Sequence, residues 1–140
     1  MDGKTLFLAF IALLGWGGGS FIAKLGTNRI GATSAVFWDM VGYAVVAVAY
    51  AFIVYNPSAL LAGDKMGIVY ALLSGATGAL AGIAFFILLS QKDASSVVPL
   101  TAIYPALTAI LAFLFLHESL TWQKVVGILF ATIAVYLLSV

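Results

Sequence analysis

The 140-residue sequence contains no cysteine, a single histidine and few charged residues, which make up 8% of the chain. The lack of cysteine excludes disulfides, thiolate chemistry and cysteine-ligated metal sites, and one histidine cannot form a histidine-cluster metal site. A soluble domain typically carries about 25% charged residues, so a surface this poor in charge cannot face water. The formal net charge is only +1, which provides no basic field for nucleic acid. We therefore predict no cofactor, no metal and no nucleic-acid partner.

Apolar residues make up 64% of the sequence and form long runs. A helix needs about 20 mostly apolar residues to span a bilayer, and polar or proline-containing breaks divide the chain into five such segments. We predict an all-α membrane protein in which residues 1–140 form one five-helix transmembrane domain. The first segment begins after Lys4 like a signal peptide but continues without a cleavage site, so we expect it to be retained. The predicted spans are Thr5–Ala23, Ala32–Tyr55, Met66–Ser90, a fourth capped by Asp93 or Ser95 and ending near Leu116, and Trp122–Ser139.

The segment ends follow from local sequence signals. We predict a loop at Lys24–Gly31. Asn56-Pro57 should end the second span, because proline disfavours helix at the preceding residue. Asp64 and Thr121 are suitable N-caps for the third and fifth spans.

Five spans place three basic residues on each side of the membrane. Cytoplasmic loops normally carry the Lys/Arg excess that sets orientation, and here that excess is absent. Either another factor orients the chain, or the chain inserts both ways and pairs as an antiparallel homodimer. The residues alone leave both open. The two sets are Lys4, Lys65 and Lys124 on one side, and Lys24, Arg29 and Lys92 on the other.

Asp39 is an acidic residue about seven positions inside the second span, roughly 10 Å deep. A carboxylate at mid-membrane costs about 2.5–3.5 kcal/mol on insertion scales, so its presence needs an explanation. It shares a helix stripe with Tyr43 and Tyr50, as expected for a cavity wall that binds a cation or a proton. The alternative is a structural ion pair with Lys24, which could extend toward it.

Other polar and small residues form faces on the remaining spans. Trp16, Ser20 and Lys24 form a mixed aromatic and polar face on the glycine-rich first span, which either packs closely or lines a site. Gly75, Gly78 and Gly82 form a packing face on the third.

On the fourth span, Pro99 and Pro105 should kink the helix. Thr101, Tyr104 and Thr108 form a second polar stripe there, which could face that of Asp39. Glu118 should meet Lys124 or cap the fifth helix. No nucleophile–base or metal constellation is present, so we predict that the protein is not an enzyme.

Three motifs resemble one protein family along the whole chain. Leu14-Gly15-Trp16-Gly17…Phe21-Ile22-Ala23-Lys24 resembles the opening of EamA-type domains of the drug/metabolite transporter superfamily. Ala94–Leu100 with Tyr104–Thr108 resembles their fourth helix, and Phe115–Thr121 with Gly127 resembles their closing junction. Most members carry two five-helix units, whereas this chain has one, like half-size bacterial and archaeal transporters.

The resemblance implies alternating-access transport of a small metabolite or drug-like solute across a prokaryotic cell (inner) membrane. It also favours the antiparallel homodimer, because a half-transporter needs an inverted partner to build inverted repeats. The fifth helix, with Gly127 and Ala131, would pack at the dimer contact. Asp39 stands where the second helix often carries arginine, which favours a cationic substrate or a proton. The alternative is a non-transporting subunit of a larger membrane complex. The expected substrate-binding residues are Trp16, Ser20, Asp39, Tyr43, Thr101, Tyr104 and Thr108, and the expected coupling residues are Asp39 and Lys24.

Overall fold

The computed structural model describes residues 2–54 and 63–139, and all regular structure in these two ranges is α-helical. The all-α prediction is therefore confirmed for this part of the chain. The predicted end of the second span at Asn56-Pro57 lies outside the described residues. The helices are α1 (Gly3–Val54), α2 (Lys65–Gln91), α3 (Ala94–Thr101), α4 (Tyr104–Leu116) and α5 (Trp122–Ser139).

Helix α1 is interrupted at Gly31, whose backbone is not helical (φ 77°, ψ 163°). An unbroken helix of 52 residues would be about 78 Å long at 1.5 Å per residue, more than twice the thickness of a bilayer core. The interruption divides α1 into a first arm, residues 3–30, and a second arm, residues 32–54. Each arm is long enough to cross a membrane.

The predicted loop Lys24–Gly31 is wrong, because helix continues to Ile30 and only Gly31 departs from it. Polar residues do not break a helix when their side chains find partners. The hydroxyl of Thr27 donates to the carbonyl of Ala23 at 2.8 Å within the same helix. Lys24, Leu25 and Arg29 also belong to residue types with good helix propensities. A glycine with positive φ was the effective stop signal.

Three helical segments are long and apolar enough to cross a membrane: Gly3–Val54, Lys65–Gln91 and Ala94–Leu116, the last comprising α3 and α4. Trp122–Leu138 is a shorter apolar helix. These lengths and compositions are those of a helical membrane protein. The number of five separate spans stays a prediction.

The chain divides into two compact units, Met1–Ser90 and Gln91–Val140. In the described part of the first unit, the buried side chains lie close to Gly31 and in the last turns of α2. They are Thr27, Ala35, Phe86 and Leu89. The start of α1, the end of its second arm and the first half of α2 contain no buried residue. Packing in this unit is therefore concentrated at one end of its helices.

In the second unit, α3 packs against α5. Val97 on α3 and Val135 on α5 are buried. Pro99 lies inside α3, and Pro105 occupies the first turn of α4. Helix is lost at 102–103, directly before Pro105, as expected for a residue whose ring clashes with the preceding turn.

Candidate functional site

Asp39 lies on an exposed face of the second arm of α1. Within the described residues its carboxylate has neither a hydrogen bond nor an ion pair. Tyr43, one turn later, is 69% exposed. The structure thus leaves a carboxylate and a phenol together on the outside of this unit, available to a ligand or to another chain.

Trp16 and Ser20 occupy an open face of the first arm. The Ser20 hydroxyl donates to the carbonyl of Trp16 at 2.8 Å, and the Trp16 side chain is exposed. A Cβ built on any glycine of this helical segment meets nothing within 4 Å. Among the described residues, therefore, no helix packs closely against the glycines at 15 and 17–19.

Lys24 joins the two helices of the first unit. Its ammonium donates to the backbone carbonyl of Leu89 at 2.6 Å. Leu89 is fully buried, and its carbonyl belongs to the last turn of α2, where carbonyls lack a partner within the helix. The ion pair between Lys24 and Asp39 is not among the contacts of the described residues. Lys24 instead has a backbone partner on α2.

The predicted polar stripe of the fourth span is divided by the helix interruption. Thr101 lies before it, at the end of α3, and its hydroxyl donates to the carbonyls of Val97 and Val98 at 3.1 and 3.0 Å. Tyr104 and Thr108 lie after it on α4, where the Thr108 hydroxyl donates to the Tyr104 carbonyl at 3.2 Å.

A cavity of about 450 Å³ runs along α4, from the first turn of the helix to the residues that follow its C-terminal end. It brings Tyr104 and Thr108 together with Glu118 and Lys124. The sequence predicts that Glu118 pairs with Lys124 or caps the last helix. The ammonium of Lys124 donates to the carbonyl of Ser119 at 2.9 Å. No ion pair joins Glu118 to Lys124 among the described residues. The lining residues are Tyr104, Pro105, Thr108, Ala109, Ala112, Leu116, Glu118, Ser119, Leu120 and Lys124.

The chain ends α4 by a left-handed residue, His117, with φ 54°. This turn directs the N–H of Glu118 to the carbonyl of Ala112 at 3.3 Å. Glu118 consequently returns to the helix face that carries Thr108 and Ala112. The spacing of Tyr104, Thr108 and Ala112, four residues apart, would have indicated this face, but only the left-handed turn adds Glu118 to it.

Comparison with known proteins adds the family. The model of the EamA-like transporter family matches residues 3–140. The chain belongs to this family. An uncharacterised protein of Methanocaldococcus jannaschii is 27% identical over 136 residues, which cover 97% of this chain and 96% of that protein. No solved structure matches.

Membership of the EamA-like family makes the chain a membrane transporter of the drug/metabolite type rather than an enzyme. A small-molecule substrate and a lipid environment follow from that. The predicted site residues are distributed over both compact units: Trp16, Ser20, Lys24, Asp39 and Tyr43 in the first, and Thr101, Tyr104 and Thr108 in the second.

Proposed function

We propose that this EamA-like protein carries a small metabolite or drug-like solute by alternating access, as an antiparallel homodimer in a prokaryotic cell membrane. Proton or cation binding at Asp39 drives the switch between inward-open and outward-open states. Trp16, Ser20, Asp39, Tyr43, Thr101, Tyr104 and Thr108 contact the solute, and Lys24 takes part in coupling. The observation that carries the proposal is the unpartnered carboxylate of Asp39 on an apolar helix.

The position of Asp39 favours coupling over a purely structural role. A charged carboxylate within a membrane is costly unless it is paired, hydrated or protonated. Lys24, a cation of the first unit, donates to the Leu89 carbonyl. Asp39 therefore alternates between a protonated form and a cation-bound form, both of which avoid an unpaired charge. Tyr43, on the next turn, places a hydroxyl near the same ligand.

Two features support a second copy as the partner. Buried apolar residues are few in the described chain, and large apolar side chains are exposed along every helix. The small-residue face of α2 at Gly75, Gly78 and Gly82 is open, since a Cβ built there meets nothing within 4 Å. Such faces allow helix backbones to approach closely in membranes, and within the described part of the first unit no helix occupies that space.

The equal distribution of basic residues and the size of the relative support an antiparallel arrangement. With three Lys or Arg on each predicted side, no excess selects one orientation. The archaeal relative is matched over 96% of its length, so it is about as long as this sequence. Inverted repeats underlie many transporters, and two oppositely inserted copies generate them without a second gene segment.

The interruptions at Gly31 and at 102–103 support alternating access. Broken helices in transporters line the substrate path and provide points about which helices tilt. One interruption lies in each compact unit, so each unit has a place where its helices can change direction.

The test is flux in proteoliposomes made with the purified protein. A lipophilic cation such as ethidium serves as the probe, and a pH gradient drives its movement. We expect uptake that Asp39→Asn abolishes, while Asp64→Asn, which removes a carboxylate in front of α2, leaves it intact. Undiminished gradient-driven uptake in Asp39→Asn would remove the coupling role.

The second candidate is a non-transporting membrane subunit that stabilises or regulates a larger complex. The open glycine face of α2 favours it, because a different membrane protein can fill that face as well as a second copy. A protein that shows no flux alone but purifies with one fixed partner would support this function over transport.

A further inference from the structure

The polar end of the cavity has the position of a membrane-interface site. The cavity runs along α4 from Tyr104 to Leu116 and ends at the non-helical residues that follow, where Glu118 and Ser119 line it. Trp122, the first residue of α5, is 74% exposed beside this turn. Tryptophan is enriched at the depth of lipid headgroups, where one part of its ring system is apolar and the other polar.

The cavity contains two opposite charges that do not neutralise each other directly. The Glu118 carboxylate has no hydrogen bond or ion pair from its side chain in the described chain. The Lys124 ammonium has one acceptor, the Ser119 carbonyl, and an ammonium has three donors. The polar end of the cavity can thus accept hydrogen bonds at one point and donate them at another.

The rest of the cavity lining is largely apolar, and part of it consists of small side chains. Ala109 and Ala112 lie on the face of α4 toward the cavity, and Leu116 and Leu120 border it. The two alanines leave a channel along the helix that a larger residue would fill. A volume of about 450 Å³ lies in the range of small-ligand sites, about 300–1,000 Å³.

We propose that this cavity binds a phosphoethanolamine lipid of the surrounding bilayer. The lipid ammonium donates to the Glu118 carboxylate, the phosphate accepts from the Lys124 ammonium, and an acyl or alkyl chain lies along Ala109 and Ala112. A zwitterion satisfies both charges at once. The Glu118 carboxylate would repel a purely anionic headgroup. A phosphocholine headgroup has no N–H that could donate a hydrogen bond to this carboxylate. This site goes beyond the transport proposal, since lipid binding requires no flux.

The test is native mass spectrometry of the purified protein titrated with phosphatidylethanolamine, phosphatidylcholine or phosphatidylglycerol of the same chain length. We expect phosphatidylethanolamine to bind about tenfold or more tightly than the other two, as the loss of one charge-assisted hydrogen bond implies. Glu118→Gln and Lys124→Gln should each remove that preference, and Ala112→Leu should block binding of the chain. Asp64→Asn is the matched control and should leave the preference unchanged.

Two results would overturn the proposal. One is equal binding of all three lipids to the wild-type protein. The other is displacement of the lipid by soluble O-phosphorylethanolamine at equal concentration, which would make the site one for a free solute. Helical content, measured by circular dichroism, identifies any variant that fails to fold, and Glu118→Asp then provides a milder change that should retain part of the preference.

Discussion

The ammonium of Lys24 and the carbonyl of Leu89 are joined by a hydrogen bond of 2.6 Å that fastens the first arm of α1 to the last turn of α2. Leu89 has no exposed surface. Its carbonyl is one of the last four of α2, and no N–H within the helix is available to donate to these four carbonyls. A cation at a helix C-terminus also interacts favourably with the helix dipole. The Lys24 side chain thus supplies the hydrogen-bond donor that the Leu89 carbonyl lacks within its own helix.

Replacing this lysine should therefore destabilise the protein. Lys24→Met keeps an unbranched apolar stem but leaves the Leu89 carbonyl unpaired, at a cost of about 1–3 kcal/mol. Thermal unfolding in detergent, followed by circular dichroism, measures the loss. Lys4→Met, on an exposed position of the first turn, should unfold at the wild-type temperature. Equal effects of the two substitutions would contradict a specific role for the contact.

Gly31 and Gly26 provide a matched pair that separates backbone conformation from packing. A Cβ at either position meets nothing within 4 Å, but only Gly31 has positive φ. Gly31→Ala should cost about 1–3 kcal/mol, because its backbone region is essentially restricted to glycine. Gly26→Ala should be neutral or stabilising by up to about 1 kcal/mol in helix. Chemical unfolding of the two variants compares them, and the opposite order would show that the interruption of α1 is not anchored at Gly31.

Asp2 should make the start of α1 sensitive to acid. The hydroxyl and the N–H of Thr5 both donate to the Asp2 carboxylate, the hydroxyl most strongly, and they lower the pKa of Asp2 below its ordinary 3.8. The cap is therefore complete above pH 3.8 and is lost as the pH falls through the lower folded-state pKa. An NMR titration of the Asp2 carboxyl measures this value. Thr5→Ala should raise it toward 3.8, and no change would mean that the cap contributes nothing.

Dual insertion can be measured with single cysteines, because the natural sequence contains none. Gln91→Cys and Thr121→Cys lie at the two ends of the segment Ala94–Leu116. If the chain inserts both ways, a membrane-impermeant maleimide should label about half of the molecules at each position from either face. Leu107→Cys, inside the segment, is the control and should stay unlabelled. Full labelling at one position with none at the other would establish a single orientation.

The helices were largely predictable because apolar length and local stop signals dominate them. The last helix agrees with its predicted bounds, Trp122–Ser139, and α2 differs by one residue at each end. Lys24–Ile30 was mistaken for a loop because polarity suggested exposure to solvent. Its lysine in fact meets a carbonyl of another helix, a contact between residues far apart in sequence that no local pattern encodes.

The candidate site was less predictable than the fold. Helical spacing correctly groups Tyr104 with Thr108, whose partners lie one turn away. Helical spacing does not place Thr101 on the same face as these two residues, because the helix is interrupted at 102–103. Nor does spacing predict that Glu118 lines the cavity, because this depends on the left-handed backbone of His117.

The buried residues of the first unit lie near Gly31 and at the end of α2, so the first arm of α1 is held at one end only. Residue 5 is about 33 Å from Thr27 along the first arm at 1.5 Å per residue, with no buried side chain between them. A rotation of about 10° at the packed end would displace that distant end by about 6 Å, roughly one helical turn. A small rearrangement around the Leu89 carbonyl would therefore become a displacement of several ångströms at the far end of the first arm, without any change in the buried residues of this unit.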